Sequence, residues 1–358
     1  MSDFNYLAAR LGAMRSRLLT RKAYEELIAL PDIPAILTYL LNGPYGPAIE
    51  AVGEAAADPE KVEEGLRRDF SATLTKLLRM AGEEPRVWVE MLLVYWDLYN
   101  LKTILRGKQV LLSPEEIVRA LIPTATYDEP ALWELAKQPS LRAVAELLLT
   151  WRSPHAAPLM EALRDYREPR DLYLSELALD RFYFRQPGRL DAEGWIFESE
   201  RSTHQKSLRD FLGFLVDKTN LMTALKMAEE RSVFLEREKF FLPGGTSLPY
   251  PVFVRILEAG GLAEALLQAR ATRFGPVFAG LGEPPQGLGT LAQVERQLER
   301  AVLRMAHRIH RTDPLGLGAV LAFLWDQIHE LMNLRMILRG RLVNMPEPAL
   351  RGLLTMEV

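Results

Sequence analysis

The sequence predicts an all-α protein built from three related helical units, and three observations carry that prediction. Apolar residues recur at three- and four-residue steps over long stretches, while the alternating pattern of strands is nearly absent. Short Pro/Gly-rich turns separate those stretches. Third, one ten-residue pattern occurs three times: an acid, two residues, Asn-Leu, three residues, Leu, then a basic residue. It spans Asp97 to Arg106, Asp217 to Lys226 and Glu330 to Arg339, with Asn100, Asn220 and Asn333 standing 120 and 113 positions apart. Repetition at that period suggests threefold pseudo-symmetry rather than one catalytic cleft. Soft boundaries fall in Pro/Gly-rich stretches, which gives units 1–128, 129–248 and 249–358.

Taken in order, Asn42-Gly43-Pro44-Tyr45-Gly46-Pro47 reads as a loop, and Asp58-Pro59-Glu60 as a helix start. In the first motif segment Trp88, Leu92, Tyr95, Leu98, Leu101 or Lys102, and Leu105 fall on one helical face, with Asp97, Asn100 and Ile104 on another. Gly107, with Lys102, Arg106 and Lys108 close by, reads as a helix stop, and Arg339-Gly340-Arg341 repeats it. The second copy continues Lys226-Met227-Ala228-Glu229 and is expected to run further. Ser113-Pro114-Glu115-Glu116 and Asp128-Glu129-Pro130 are further helix starts. Ile122-Pro123 and Leu242-Pro243 each place proline 23 residues after the motif asparagine. The equivalent position in the third copy is Met356, so that unit is expected to be truncated, or to use Pro346 and Pro348 earlier. Leu242-Pro243-Gly244-Gly245 and Gly280 to Pro285 are the remaining loops.

Composition narrows the function classes. The 358 residues are 48% hydrophobic and 25% charged, ordinary for a soluble globular protein. A net charge of −3 gives no electrostatic case for nucleic acid. Arginine outnumbers lysine roughly three to one, but the charges are scattered. The absence of cysteine excludes disulfides, thiolate metal sites and cysteine nucleophiles. The first residues carry an acid and no apolar run, so no signal peptide is expected there. The longest uncharged apolar stretch, Leu315 to Trp325, is about half the ~20 residues a membrane helix needs. No Gly-x-x-x-x-Gly-Lys-Ser/Thr loop is present, so direct nucleotide binding is not expected.

The candidate functional residues are the repeated ones: Asp97, Asn100 and Arg106; Asp217, Asn220 and Lys226; Glu330, Asn333 and Arg339. Acid and asparagine stand one helical step apart. They either face a partner in a central cavity or satisfy backbone groups within their own unit, and recurrence across all three copies favours the second. The basic residues ending each motif read as solvated helix ends. His307 and His310 have a metal-compatible spacing, but Arg308 and Arg311 beside them repel a cation. Glu200, His204 and Asp210 hint at an acid–base cluster and read more simply as surface helix residues. The aromatic runs Phe182-Tyr183-Phe184, Phe211 to Phe214 and Phe240-Phe241 are expected to be mostly core. The apolar loop Pro276 to Gly282 is costly to expose without a partner. The basic N-terminal stretch (Arg10, Arg15, Arg17, Arg21, Lys22) reads equally as a solvated face or a surface near anionic lipid or acidic loops.

With these residues laid out, the chain resembles the C subunit of the V-type/A-type rotary ATPases (ATP synthases), equivalent to the d subunit of the eukaryotic V-ATPase. The opening stretch Tyr6 to Thr20, followed by Tyr24-Glu25-Glu26-Leu27, is similar to that family's first helix. The three acid-x-x-Asn-Leu motifs and the Leu242-Pro243-Gly244-Gly245 turn match its internal repeat. Departures are Met222 and Ala224 in the second copy and Pro-Thr-Ala at 123 to 125. The resemblance implies a funnel of three helical domains, a single copy within a hetero-oligomeric complex, with no cofactor and no active site. It implies a peripheral place on the cytoplasmic face of the membrane, between the central shaft subunits and the proteolipid rotor ring. The rivals are an unrelated three-repeat adaptor for soluble peptides and an all-α enzyme built on the acid–Asn pairs.

Overall fold

The computed structural model describes residues 3–53, 58–164, 172–192, 203–230, 236–278 and 290–355. Every regular element among them is helical. In chain order these are α1 (Asp3–Arg15), α2 (Arg21–Ala29), α3 (Ile33–Leu41), α4 (Gly46–Glu50), α5 (Pro59–Met80), α6 (Glu83–Gln109), α7 (Pro114–Val118), α8 (Glu129–Lys137) and α9 (Leu141–Thr150). There follow α10 (Ala156–Ala162), α11 (Leu172–Ala192), α12 (Thr203–Glu230), α13 (Tyr250–Leu257), α14 (Leu262–Arg270), α15 (Leu291–Thr312), α16 (Leu317–Leu342) and α17 (Glu347–Leu353). Short 3-10 turns occupy Arg237–Phe240 and Gly275–Phe278.

One order of elements recurs. The described lengths run 9, 9, 5, 22, 27 and 5 residues from α2 to α7. From α8 through the turn at Arg237–Phe240 they run 9, 10, 7, 21, 28 and 4. From α13 to α17 they run 8, 9, 4, 22, 26 and 7. A pair of short helices, a brief turn, a long helix and a longer motif helix therefore form the repeating unit, and α1 stands outside it. The repeat also extends to single residues: Ile49, Leu159 and Phe278 are fully buried at equivalent places in α4, α10 and the turn at Gly275–Phe278.

By contact, the chain separates into two compact units, residues 1–147 with 314–358, and residues 148–313. In the first, α5, α6 and α16 bring Phe70, Trp96 and Trp325 together, with ring centroids 5.7 Å and 5.8 Å apart. The motif helices α6 and α16 are buried almost all round. Leu92, Leu101, Ile104, Leu105 and Asn100 are all sealed from solvent, so the two faces expected of the first motif segment are not distinct. In the second unit, α12 packs on α13, α14 and α15 around Leu221, Leu225, Phe253 and Leu298. Tyr183 and Phe211 are core, while Phe182, Phe184, Phe214, Phe240 and Phe241 are half-buried.

The helix starts read from sequence stand where expected. Asp58, Ser113 and Asp128 each accept a backbone N–H of the first turn, and Ser113 forms a reciprocal capping box with Glu116. The loop expected over Asn42 to Pro47 is shorter, because Gly46 and Pro47 already open α4.

The helix stops differ. Gly107 and Gly340 lie inside α6 and α16, which end later, at left-handed residues Leu111 (φ 59°) and Asn344 (φ 53°). There the amides of Leu112 and Met345 donate back to the carbonyls of Gly107 and Gly340 at 2.9 and 2.8 Å. The glycines serve packing instead. A Cβ on Gly107 would stand 2.5 Å from Ile117 Cγ1, and one on Gly340 would stand 2.8 Å from Leu350 Cδ1. Each glycine thus admits the short helix that folds back on its motif helix. The second copy has the buried Met227 in that position, and α12 is described as far as Glu230.

Candidate functional site: the three acid–asparagine motifs

All three asparagines make the same pair of hydrogen bonds. Asn100 Nδ2 donates to the carbonyl of Ile122 (2.6 Å) while its Oδ1 accepts the amide of Ile122 (2.8 Å). Asn220 holds Leu242 identically, at 2.8 Å for both bonds. Asn333 holds Thr355, at 2.8 and 2.9 Å. Each side-chain amide therefore mimics a strand partner for one residue, 22 positions further on; the first two clamps are buried and the third is part-buried. The third copy is not truncated in this respect: Thr355 supplies the clamped backbone without a following proline.

Each acid ties its motif helix to the segment immediately ahead of the next helix pair. Asp97 accepts from the hydroxyl of Thr124 at 2.5 Å and from that of Thr126, just before α8. Asp217 accepts the amides of Thr246, Ser247 and Leu248 at 2.9, 2.7 and 3.1 Å, just before α13. Gly245 permits that wrap, because a Cβ there would overlap Asp217 Oδ1. Copy one thus holds its acid through the Thr124 and Thr126 hydroxyls, and copy two through the Thr246 hydroxyl and three successive backbone amides. Glu330, one carbon longer, accepts the amide of Leu19 at 2.8 Å, just before α2, together with the hydroxyls of Tyr45 and Tyr24. The third motif therefore closes onto the first repeat.

The basic residues divide. Arg106 is exposed and Lys226 half-buried. Arg339 is more than a solvated helix end: it forms a two-point ion pair with Glu63 of α5, at 2.8 and 2.7 Å. Two further basic residues, expected only as part of the basic helix ends, reach other helices. Lys108 donates to the carbonyl of Ala136 near the end of α8, and Arg341 donates to that of Ile28 near the end of α2. Both stand eight positions after the motif asparagine and cap the first helix of the following repeat. Ala228 takes that place in copy two. Arg15, expected on a solvated or lipid-facing surface, instead pairs with the buried Asp326 at 2.6 Å.

Burial raises all three acids. It pushes Asp97 up to about 6, opposed by the Thr124 and Thr126 hydroxyls. It raises Asp217 against its four hydrogen bonds. It pushes Glu330 up to about 7, opposed by bonds from Tyr45, Leu19 and Tyr24 and helped by the charge of Asp326. Native Glu330 thus holds its proton more tightly than the unfolded chain does. Its contribution to stability is complete below the usual carboxylate range and is lost as pH rises from about 4.5 to about 7, an effect of about 3 kcal/mol. Urea titrations across pH 4.5 to 8 are expected to show this decline, and Glu330→Gln is expected to flatten it above the range where Asp97 titrates. An unchanged slope in the variant would assign the decline elsewhere.

No group of three or more His, Asp and Glu side chains among the described residues is arranged to hold a metal. His204 Nδ1 lies 3.3 Å from Asp313 Oδ2, and Glu200 and the loop at 280–285 lie outside the described residues. No helix among the described residues is long and apolar enough to cross a membrane.

The geometry is that of a repeated scaffold whose recurring acids and asparagines are buried, and comparison with known proteins identifies the scaffold. The ATP synthase (C/AC39) subunit family matches residues 7–353. The chain belongs to that family. It is 30% identical to the C subunit of the V-type ATP synthase of Thermus thermophilus over 345 residues, covering 96% of both chains. It is 28% identical to the corresponding V-type protein of Deinococcus radiodurans over 98% of this chain and 90% of the relative. It is 24% identical to the C subunit of the A-type ATP synthase of Methanocaldococcus jannaschii over 99% of this chain and 86% of the relative. As a member of the C/AC39 family it is a structural, non-catalytic component of a hetero-oligomeric rotary ATPase, an assembly of ATP synthesis and ion transport.

Proposed function

We propose that this chain is the socket of the central rotor. Three like helical modules, divided near residues 128 and 248, form a funnel that receives the central shaft. The funnel rests on the membrane proteolipid ring at the cytoplasmic face. Torque from the ATP-binding head passes through it to the ring that moves protons or sodium ions, or in reverse during synthesis. The chain takes part as one copy, binding neither nucleotide nor cofactor.

The observation that carries this reading is the way the repeats are fastened. Each motif acid joins its own helix to the lead-in of the following repeat, and Glu330 joins the last motif to the first repeat at Leu19. Each of these ties is a buried or part-buried hydrogen bond within one compact unit, and it fastens a motif helix to the neighbouring lead-in more firmly than a flexible linker would. Interfaces and packed cores of this kind resist continuous deformation.

The reading is tested in the assembled complex. Omitting the chain is expected to abolish ATP-driven ion pumping while ATP hydrolysis by the head persists. Re-adding the full chain is expected to restore pumping. Normal pumping without the chain contradicts the proposal and leaves the repeats as the scaffold of some other adaptor.

A further inference from the structure

We infer that the second compact unit carries a docking cleft for an acidic amphipathic helix of a partner protein. The cleft has a volume of about 410 Å³ and runs along α15, with Phe214 of α12 and the turn residues Pro276 and Val277 on its other side. Its floor is apolar: Phe214, Val277, Ala301 and Met305. Its rim is formed by Arg304, Arg308 and Arg311, all exposed.

Three features select the occupant. The α15 lining extends from Gln297 to Arg311, about 21 Å at 1.5 Å per residue, so the cleft is long rather than compact and suits one face of a helix. The lining residues Gln297, Ala301 and Met305 follow each other at four-residue steps, beside an arginine row at 304, 308 and 311. An apolar floor flanked by a cationic row is complementary to a helix with an apolar stripe and acidic flanks. Finally, Ala301 and Met305 are recessed, at 6% and 8% exposure. A recessed floor receives protruding side chains, whereas a lipid-binding face presents its own apolar residues outward. The cleft also gives a use to Pro276 and Val277, part of an apolar segment that is costly to expose. The inference does not depend on the rotor reading.

The test uses the full chain and a fluorescein-labelled synthetic helical peptide with a leucine stripe and glutamate flanks, read by fluorescence anisotropy. Binding is expected, and Arg304→Glu with Arg308→Glu is expected to weaken it at least ~10-fold. Val277→Asp, which leaves the arginines intact, is expected to weaken it as well. A peptide with lysine in place of every glutamate is expected not to bind. Circular dichroism confirms that each variant is folded before it is scored. Equal binding of both peptides, or undiminished binding by the arginine variant, overturns the inference. So does arginine-dependent binding of phosphatidylglycerol vesicles without peptide binding, which would make the cleft a lipid face. In the assembled complex, a photo-crosslinker at Gln297 is expected to map to an acidic helix of a neighbouring protein, and mapping to this same chain contradicts it.

Discussion

Replacing Asn220 by alanine is expected to cost about 2–6 kcal/mol, because it strands both backbone groups of Leu242 in a dry core. Asn220 and Leu242 are 0% and 1% exposed, so water cannot replace the lost amide. Each buried backbone group left without a partner costs about 1–3 kcal/mol. Asn220→Asp is expected to fall between the wild type and the alanine variant, since it can still accept the Leu242 amide but cannot donate to the carbonyl. Asn100→Ala should match Asn220→Ala, because its clamp is equally buried. Urea titration of the full chain reads all three. Losses within a few tenths of a kcal/mol of zero would mean that the clamps are ornaments of the fold rather than its supports.

Gly245→Ala is expected to be as damaging for a different reason. A methyl there overlaps the Asp217 carboxylate, which simultaneously holds the amides of Thr246, Ser247 and Leu248. Either the carboxylate or the turn must move, and charge-assisted bonds are lost in a buried place, at about 3–5 kcal/mol. The neighbouring Gly244→Ala meets open space but a left-handed backbone, φ 105°, and should cost about 1 kcal/mol. A double-mutant cycle isolates the cause: in an Asp217→Ala background the cost of Gly245→Ala should shrink sharply. An undiminished cost would place the problem in the backbone instead.

The parts of the fold that were legible in the sequence were local. Helix starts at Asp58, Ser113 and Asp128 follow from cap chemistry that acts within one turn. The asparagines were legible as repeated polar residues in apolar surroundings, because such a residue needs an internal partner wherever it recurs. Gly107 and Gly340 were misread because a glycine after a basic turn has the same local signature whether it ends a helix or lets another helix approach. The left-handed positions went to Leu111 and Asn344 instead, which no propensity would favour in the case of leucine. What was invisible was long-range. Glu330 and Leu19 are 311 positions apart, and nothing near either residue announces the other. Lys108 and Arg341 likewise reach carbonyls in helices that only the tertiary fold brings close.

The chain's place between shaft and ring is tested most directly by native mass spectrometry of the full chain mixed with the central shaft subunits of a V/A-type ATPase. A one-to-one complex that survives moderate salt is the result expected of a socket that must carry torque. A folded, helical chain that binds neither shaft nor proteolipid ring would contradict it.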